Sequence, residues 1–140
     1  MKGRRRALQA LTVASVALVA GPAFAGSYLT RAALLVLEGR KEADCLRQHF
    51  ADKELARMIH RMTVTRVEAS SKMMVPKEVV QAHPHLLLVF EHYERAADHA
   101  ENGEAEHFLL ACQKAFDEER AFRFVLRQLG WELPSESPRR

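Results

Sequence analysis

The sequence lacks the motifs on which many hydrolases, metalloproteases and nucleotide-binding enzymes depend. Its 140 residues contain no Gly-x-Ser-x-Gly nucleophile elbow, no His-Glu-x-x-His zinc motif and no glycine-rich phosphate loop. There are two cysteines, Cys45 and Cys112, and they are too far apart for a Cys-x-x-Cys redox motif. These absences predict a protein that is not an enzyme.

Long apolar runs are also missing. The best candidate extends from Ala7 to Ala20, and its 14 residues fall short of the roughly 20 that a membrane-spanning helix needs. Lys2 and Arg4-Arg5-Arg6 precede it, and Ala23-Phe24-Ala25 follows with the small-x-small pattern of a cleavage site. Residues 1–25 are therefore predicted to be a secretory signal peptide, with a retained membrane anchor as the alternative. Cleavage would leave a periplasmic or extracellular protein without stable membrane insertion.

An excess of charge is confined to this predicted signal. The full chain has 21 basic and 18 acidic residues, and cleavage removes four of the basic ones and none of the acidic ones. The remaining 17 basic and 18 acidic residues include no basic stripe interleaved with aromatic side chains, which excludes nucleic acid as an expected partner. The 115 residues that remain correspond to one domain, predicted over residues 26–133. Residues 134–140 have no apolar content and are predicted to be a disordered tail.

What the sequence does contain is four amphipathic runs with apolar residues at helical spacing. They cover residues 28–50, 53–73, 84–102 and 104–129. The short connections between most of them predict an all-α fold, an antiparallel up-and-down four-helix bundle. In the second helix the buried stripe is expected to comprise Leu55, Met58, Ile59, Met62, Ala69 and Met73, because methionine at helical spacing usually fills a core.

Local signals predict where the helices begin and end. Asp52 is expected to cap the second helix, and His83 with Pro84 at the first helical position is expected to open the third. Gly103 and Gly130 are predicted to end the third and fourth helices in the left-handed conformation, with the residue after Gly130, Trp131, folded back on Leu126.

Gly39 falls on the apolar face of the first helix. A glycine in the middle of a helix costs about 1 kcal/mol relative to alanine. Its position fits either a close approach of another element to the helix backbone or a break in the helix.

Cys45 and Cys112 are predicted to lie at similar heights near one end of the bundle, on the first and fourth helices. In the oxidising compartment that an export signal implies, such a pair usually forms a disulfide. We therefore expect a Cys45–Cys112 bridge that fixes the first helix against the fourth. Two free thiols, or a metal site, are the alternatives.

Seven histidines in a short chain raise the possibility of a metal site. Some of His49, His99 and His107, together with a cysteine, are predicted to lie near the same end and would suit Zn or Cu. Glu104 and His107 form a Glu-x-x-His pair, but a di-iron bundle needs two such motifs. The alternative interpretation places the histidines on half-exposed shoulders of the bundle, and it leads us to predict no cofactor.

Several apolar residues lie off the predicted core stripes. Phe124, Leu87 and Leu88 are the main candidates for an interaction surface, with Leu34 and Leu35 in addition. The acidic run 117–119 is expected to be the solvated side of the fourth helix. The leading prediction is an exported, non-enzymatic helical bundle that acts by binding another protein or its own copy. A periplasmic bundle that binds a metal or cofactor through the histidines and cysteines is the alternative.

Overall fold

The computed structural model describes the backbone of residues 2–135 and the side chains of residues 24–135. It contains the four helices α1 (Lys2–Gln48), α2 (Lys53–Ser71), α3 (His83–Glu101) and α4 (Ala105–Gln128). A single 3-10 turn, Lys77–Val79, lies between α2 and α3. The predicted all-α four-helix bundle is confirmed within the described residues. The side chains of residues 1–23, most of the predicted signal peptide, lie outside them, as do residues 136–140 of the predicted tail.

The helix ends follow from local residues. Asp52 caps α2, because its carboxylate accepts a hydrogen bond of 3.0 Å from the backbone amide of Leu55. Gly130 has a φ of +86°, and the amide of Trp131 donates to the carbonyl of Leu126 at 2.9 Å, as in a Schellman motif. Gly103, with a φ of +73°, ends α3 in the same way. These three predictions are confirmed.

The start of α3 differs from the prediction by one position. His83 is already helical and the flanking residue is Ala82, so Pro84 is the second helical residue and not the first. The imidazole of His83 does not cap α3, and it hydrogen-bonds the backbone of Ser70 in the last turn of α2. Its Nδ1 lies 2.6 Å from the hydroxyl of Tyr28 on α1, in a buried hydrogen bond. Burial lowers the pKa of His83 and raises that of Tyr28, so both groups are held neutral and the bond ties the middle of α1 to the start of α3.

α3 is the central helix of the bundle. It packs along both α2 and α4, and α1 lies chiefly over α3, with fewer close backbone approaches to α2 and very few to α4. Gly39 explains this position of α1, because a Cβ atom there would lie 2.7 Å from Cδ2 of Tyr93. The glycine therefore permits the ring of α3 to touch the backbone of α1. α1 is continuous through Gly39, so close approach is the correct interpretation and a break is not.

The core is built from the facing sides of these helices. Its largest fully buried side chains are aromatic and aliphatic, and most come from α3 and α4: Phe90, Phe108, Phe122, Leu86 and Leu126. Within the described residues, no helix combines the length and the apolar character needed to cross a membrane.

Candidate functional site

Two ion-pair clusters hold α1 in place, one on each flank. On the α2 flank, both carboxylate oxygens of Glu42 accept hydrogen bonds from Arg66, at 2.7 and 2.6 Å, and Glu38 lies 3.5 Å from the same guanidinium. Arg66 is only 7% exposed. Burial by itself lowers the pKa of Arg66, but the hydrogen bond and charge of Glu42 outweigh this and raise it, so the guanidinium stays charged.

On the α4 flank, Glu119 is buried and accepts hydrogen bonds from two arginines. Nε of Arg40 on α1 donates to Oε1 at 2.7 Å, and a second nitrogen of Arg40 contacts Oε2. Nε of Arg123 donates to Oε2 at 3.1 Å. The prediction that the acidic run 117–119 is solvated is therefore wrong for Glu119. The side chain of Arg40 is long enough to reach Glu119 from α1, so the carboxylate is paired across the gap between the two helices.

Since α1 lies over α3, a shallow groove remains open between α1 and α2. We call it the methionine groove. Its apolar lining residues are Leu35, Met62 and Ala69. Met58 lies one turn before Met62 on α2, and Leu34 lies one turn before Glu38 on α1. The part of the groove lined by Leu35 and Met62 encloses about 430 Å³ and is also lined by Glu38 from α1 and Arg61 from α2. Met58, Met62 and Leu34 are 60%, 50% and 56% exposed. Exposed apolar side chains of α1 and α2 thus lie in and beside a groove that has Glu38 on its α1 side and Arg61 on its α2 side.

The buried face of α2 is not the predicted one. Met58 and Met62 were expected in the core, yet the residues of α2 that face α3 and α1 are Ala56, Ile59, Thr63, Arg66 and Ser70. The physical reason is the pairing of Arg66 with Glu42, which turns a polar stripe inward. Rotation of α2 onto this stripe carries the two methionines outward. Leu55 and Met73 remain half-buried against the core, but Ala69 is exposed.

The cleft on the other side of α1 contains Cys112. The cleft encloses about 510 Å³ and is lined by residues of α1, α3 and α4: Arg40, Ala43, Asp44, Arg47, Tyr93, Leu109, Cys112, Gln113 and Phe116. Burial raises the pKa of the Cys112 thiol to about 11, so the thiol is protonated at neutral pH and is a poor nucleophile. Phe116 also lines this cleft and is 49% exposed.

The predicted Cys45–Cys112 disulfide is not formed, and both cysteines are free thiols. Cys45 lies three residues after Glu42 and seven after Glu38, so it shares the helix stripe that faces α2. Cys112 lines the cleft on the opposite flank of α1, beside Asp44 and Arg47. A disulfide requires Cα atoms within about 7 Å and Cβ atoms that point toward each other. Among the described side chains, α1 and α4 are joined through Arg40 and Glu119.

The three residues predicted as the main interaction surface differ in exposure. Phe124 is 55% exposed on α4, and Leu88 is 37% exposed on α3. Leu87 is half-buried. They do not line the methionine groove. A role for these residues in binding stays a prediction.

Three histidines form hydrogen bonds with glutamates on the surface of the bundle. Nδ1 of His60 lies 2.7 Å from Glu101, His85 lies 3.0 Å from Glu118, and His99 lies 3.3 Å from Glu104. The hydrogen bond from His60 is the largest cause of a lowered pKa at Glu101. The rows of half-buried histidines fit the shoulder interpretation more closely than a buried ligand set.

The histidines predicted as metal ligands are brought together only in part. The rings of His99 and His107 stack with their centroids 5.1 Å apart, whereas His49 is exposed at the end of α1. Among residues 24–135, a different set places three potential ligand atoms within 4.8 Å of one another, namely His60, Asp98 and Glu101. Sequence reasoning missed this set because Asp98 and Glu101 are an ordinary i, i+3 pair on α3. They meet His60 only through the register of α3 against α2.

Comparison with known proteins yields no relative. No family model matches the chain, and no curated protein or solved structure is significantly similar to it. Any functional assignment therefore depends on the residues themselves.

Proposed function

We propose that the chain is an exported, non-enzymatic helical-bundle protein that acts by self-association through the methionine groove. The observation that carries the proposal is the exposure of Met58 and Met62. Both lie at core spacing in the sequence, yet the single chain leaves them at least half exposed. The basic start, apolar run and small-x-small pattern of residues 1–25 support export.

Burial of the groove supplies the driving force. Complete burial of a methionine or leucine side chain contributes about 1.5–3 kcal/mol relative to full exposure. Met58, Met62 and Leu34 already have part of their surface covered, so each contributes roughly half of that amount when a second copy covers it. A two-fold interface contains two copies of each side chain, one from each protomer, so the free energy gained by burial doubles.

The charges beside the groove favour a second copy of the same chain as the occupant. Glu38 lies on the α1 wall and Arg61 on the α2 wall. When the two-fold axis runs along the groove, the two walls exchange places between copies, and Glu38 of each copy lies opposite Arg61 of the other. Glu38 is 60% exposed, and Arg61 has no ion-pair partner among the described side chains. Arg61 is therefore available for pairing between copies, and Glu38, which also contacts Arg66 of its own chain at 3.5 Å, is exposed enough to contact both arginines.

Sedimentation velocity of the protein without residues 1–25, over a range of concentrations, tests the proposal. We expect a monomer–dimer equilibrium that Met62→Asp shifts strongly to the monomer, because the new carboxylate would be buried in the interface. Phe124→Asp is the matched control, since Phe124 has similar exposure but lies on α4. It should leave the equilibrium unchanged.

Two outcomes oppose the proposal. A monomer at every accessible concentration would exclude self-association. Loss of the dimer in Phe124→Asp but not in Met62→Asp would move the interface to α4. Circular dichroism of each variant must show native helix content for either comparison to count.

A further inference from the structure

His60, Asp98 and Glu101 form a compact group of three polar side chains at the α2–α3 contact. Asp98 and Glu101 are separated by three residues on α3, so their carboxylates share one face of the helix. His60 approaches from α2, with Nδ1 at 2.7 Å from Oε2 of Glu101. One ligand atom from each residue lies within 4.8 Å of the other two.

The donor set suits a divalent transition-metal cation. An imidazole nitrogen and carboxylate oxygens bind Zn²⁺ at about 2.0–2.2 Å, which places neighbouring ligand atoms some 3–3.5 Å apart. The hydrogen-bonded His60–Glu101 pair has to open by under 1 Å to reach that spacing, and the Asp98 carboxylate, within 4.8 Å of both, has to close by at most about 1.8 Å. Three protein ligands leave a fourth position for water. Ca²⁺ and Mg²⁺ prefer sets made entirely of oxygen, so the imidazole selects against them.

The surroundings of the group supply one orienting contact and one competitor. Nδ2 of Asn102 lies 3.3 Å from Oδ1 of Asp98 and helps to fix that carboxylate, as outer hydrogen bonds do at metal sites. Nε of Arg57 lies 3.6 Å from Oε1 of Glu101, and its positive charge opposes a bound cation. Arg57 is about half exposed, and its Nη1 donates to Oε1 of Glu54 at 2.9 Å on the solvent side. It can therefore move away without losing a buried contact.

We propose that His60, Asp98 and Glu101 bind one Zn²⁺ per chain, with Arg57 as a built-in competitor. The proposal is independent of self-association, because none of these side chains lines the methionine groove. The proposed site also differs from non-specific binding of Zn²⁺ to scattered surface histidines. His85–Glu118 and His99–Glu104 are similar His–Glu pairs, but among the described residues neither gathers a third ligand within the same distance.

Isothermal titration of the purified chain with Zn²⁺ in metal-free buffer tests the site. We expect one tight equivalent and no comparable binding of Ca²⁺. Glu101→Gln and Asp98→Asn should each weaken Zn²⁺ binding by at least about tenfold, a loss that even outer-shell changes reach at metal sites. Glu104→Gln, which alters the matched pair at His99, should leave the affinity unchanged. Arg57→Gln should increase the affinity, which a purely structural role for the cluster does not predict.

Three outcomes would overturn the proposal. The first is absence of a tight Zn²⁺ equivalent in the wild-type chain. The second is equal weakening by Glu101→Gln and Glu104→Gln, which would indicate scattered histidine binding. The third is weaker binding in Arg57→Gln. Because all four substitutions are at partly exposed positions, circular dichroism should show that each variant is folded. Zn²⁺ should also raise the unfolding temperature of the wild-type chain and not that of Glu101→Gln.

Discussion

Substitution of Gly39 by alanine tests how α1 is seated on α3. The added Cβ would lie 2.7 Å from Cδ2 and 2.9 Å from Cε2 of Tyr93, whereas carbon atoms in contact prefer about 3.5–4.0 Å. Tyr93 is 7% exposed, so the ring has to shift by about 1 Å within a packed core. Overpacking of this kind costs about 1–3 kcal/mol. The higher helix propensity of alanine relative to glycine contributes about 1 kcal/mol of stability in the opposite direction. We therefore expect a net loss of roughly 1 kcal/mol in the free energy of unfolding, the difference between these two effects.

The assay is urea denaturation of Gly39→Ala, Tyr93→Ala and the double variant, followed by circular dichroism. With the ring of Tyr93 removed, the steric cost disappears and only the helix-propensity gain remains. Gly39→Ala should then stabilise the Tyr93→Ala background by about 1 kcal/mol. This reversal of sign is the decisive observation. The proposed seating of α1 would be refuted if Gly39→Ala stabilised both backgrounds equally, since the ring would then not touch the glycine.

Two further predictions concern the α4 flank of α1. Glu119→Ala removes the buried carboxylate that Arg40 and Arg123 both contact and should cost about 1–3 kcal/mol in urea denaturation, given that Arg40 is one-third exposed and partly hydrated. Glu118→Ala, at a more exposed carboxylate, should cost less, and an equal loss would show that the Arg40–Glu119 pair is not a tie. Thiol titration in denaturant without reductant should count both Cys45 and Cys112, with Cys112 slow in the native protein. No thiols before reduction would show that α1 and α4 are bridged after all.

The helix ends could be predicted because their causes are local. Asp52, Gly103 and Gly130 act on amides and carbonyls within a few residues, so the sequence around each contains the whole explanation. Gly39 was only partly informative, because the sequence alone left two interpretations open. The partner that distinguishes them, Tyr93, lies 54 positions later in the chain.

The orientation of α2 could not be predicted from its own pattern. Apolar periodicity favoured burial of Met58 and Met62, but the helix turns toward α1 because Arg66 pairs with Glu42. That pair joins residues 24 positions apart, and no local signal marks it. For the same reason the acidic run was predicted to be solvated, because its burial at Glu119 depends on Arg40, 79 positions away. Long-range ion pairs thus determine which faces of α2 and α4 are buried. The exposure of the methionine groove is a consequence of the Arg66–Glu42 pair.

The most direct test of self-association is a charge reversal measured by sedimentation equilibrium. Glu38→Arg and Arg61→Glu should each weaken the dimer, because each places like charges opposite one another across the two-fold axis. The double variant Glu38→Arg with Arg61→Glu restores opposite charges and should recover most of the wild-type association. If the double variant is as weak as the single variants, or if neither single variant differs from the wild type, the methionine groove is not the interface.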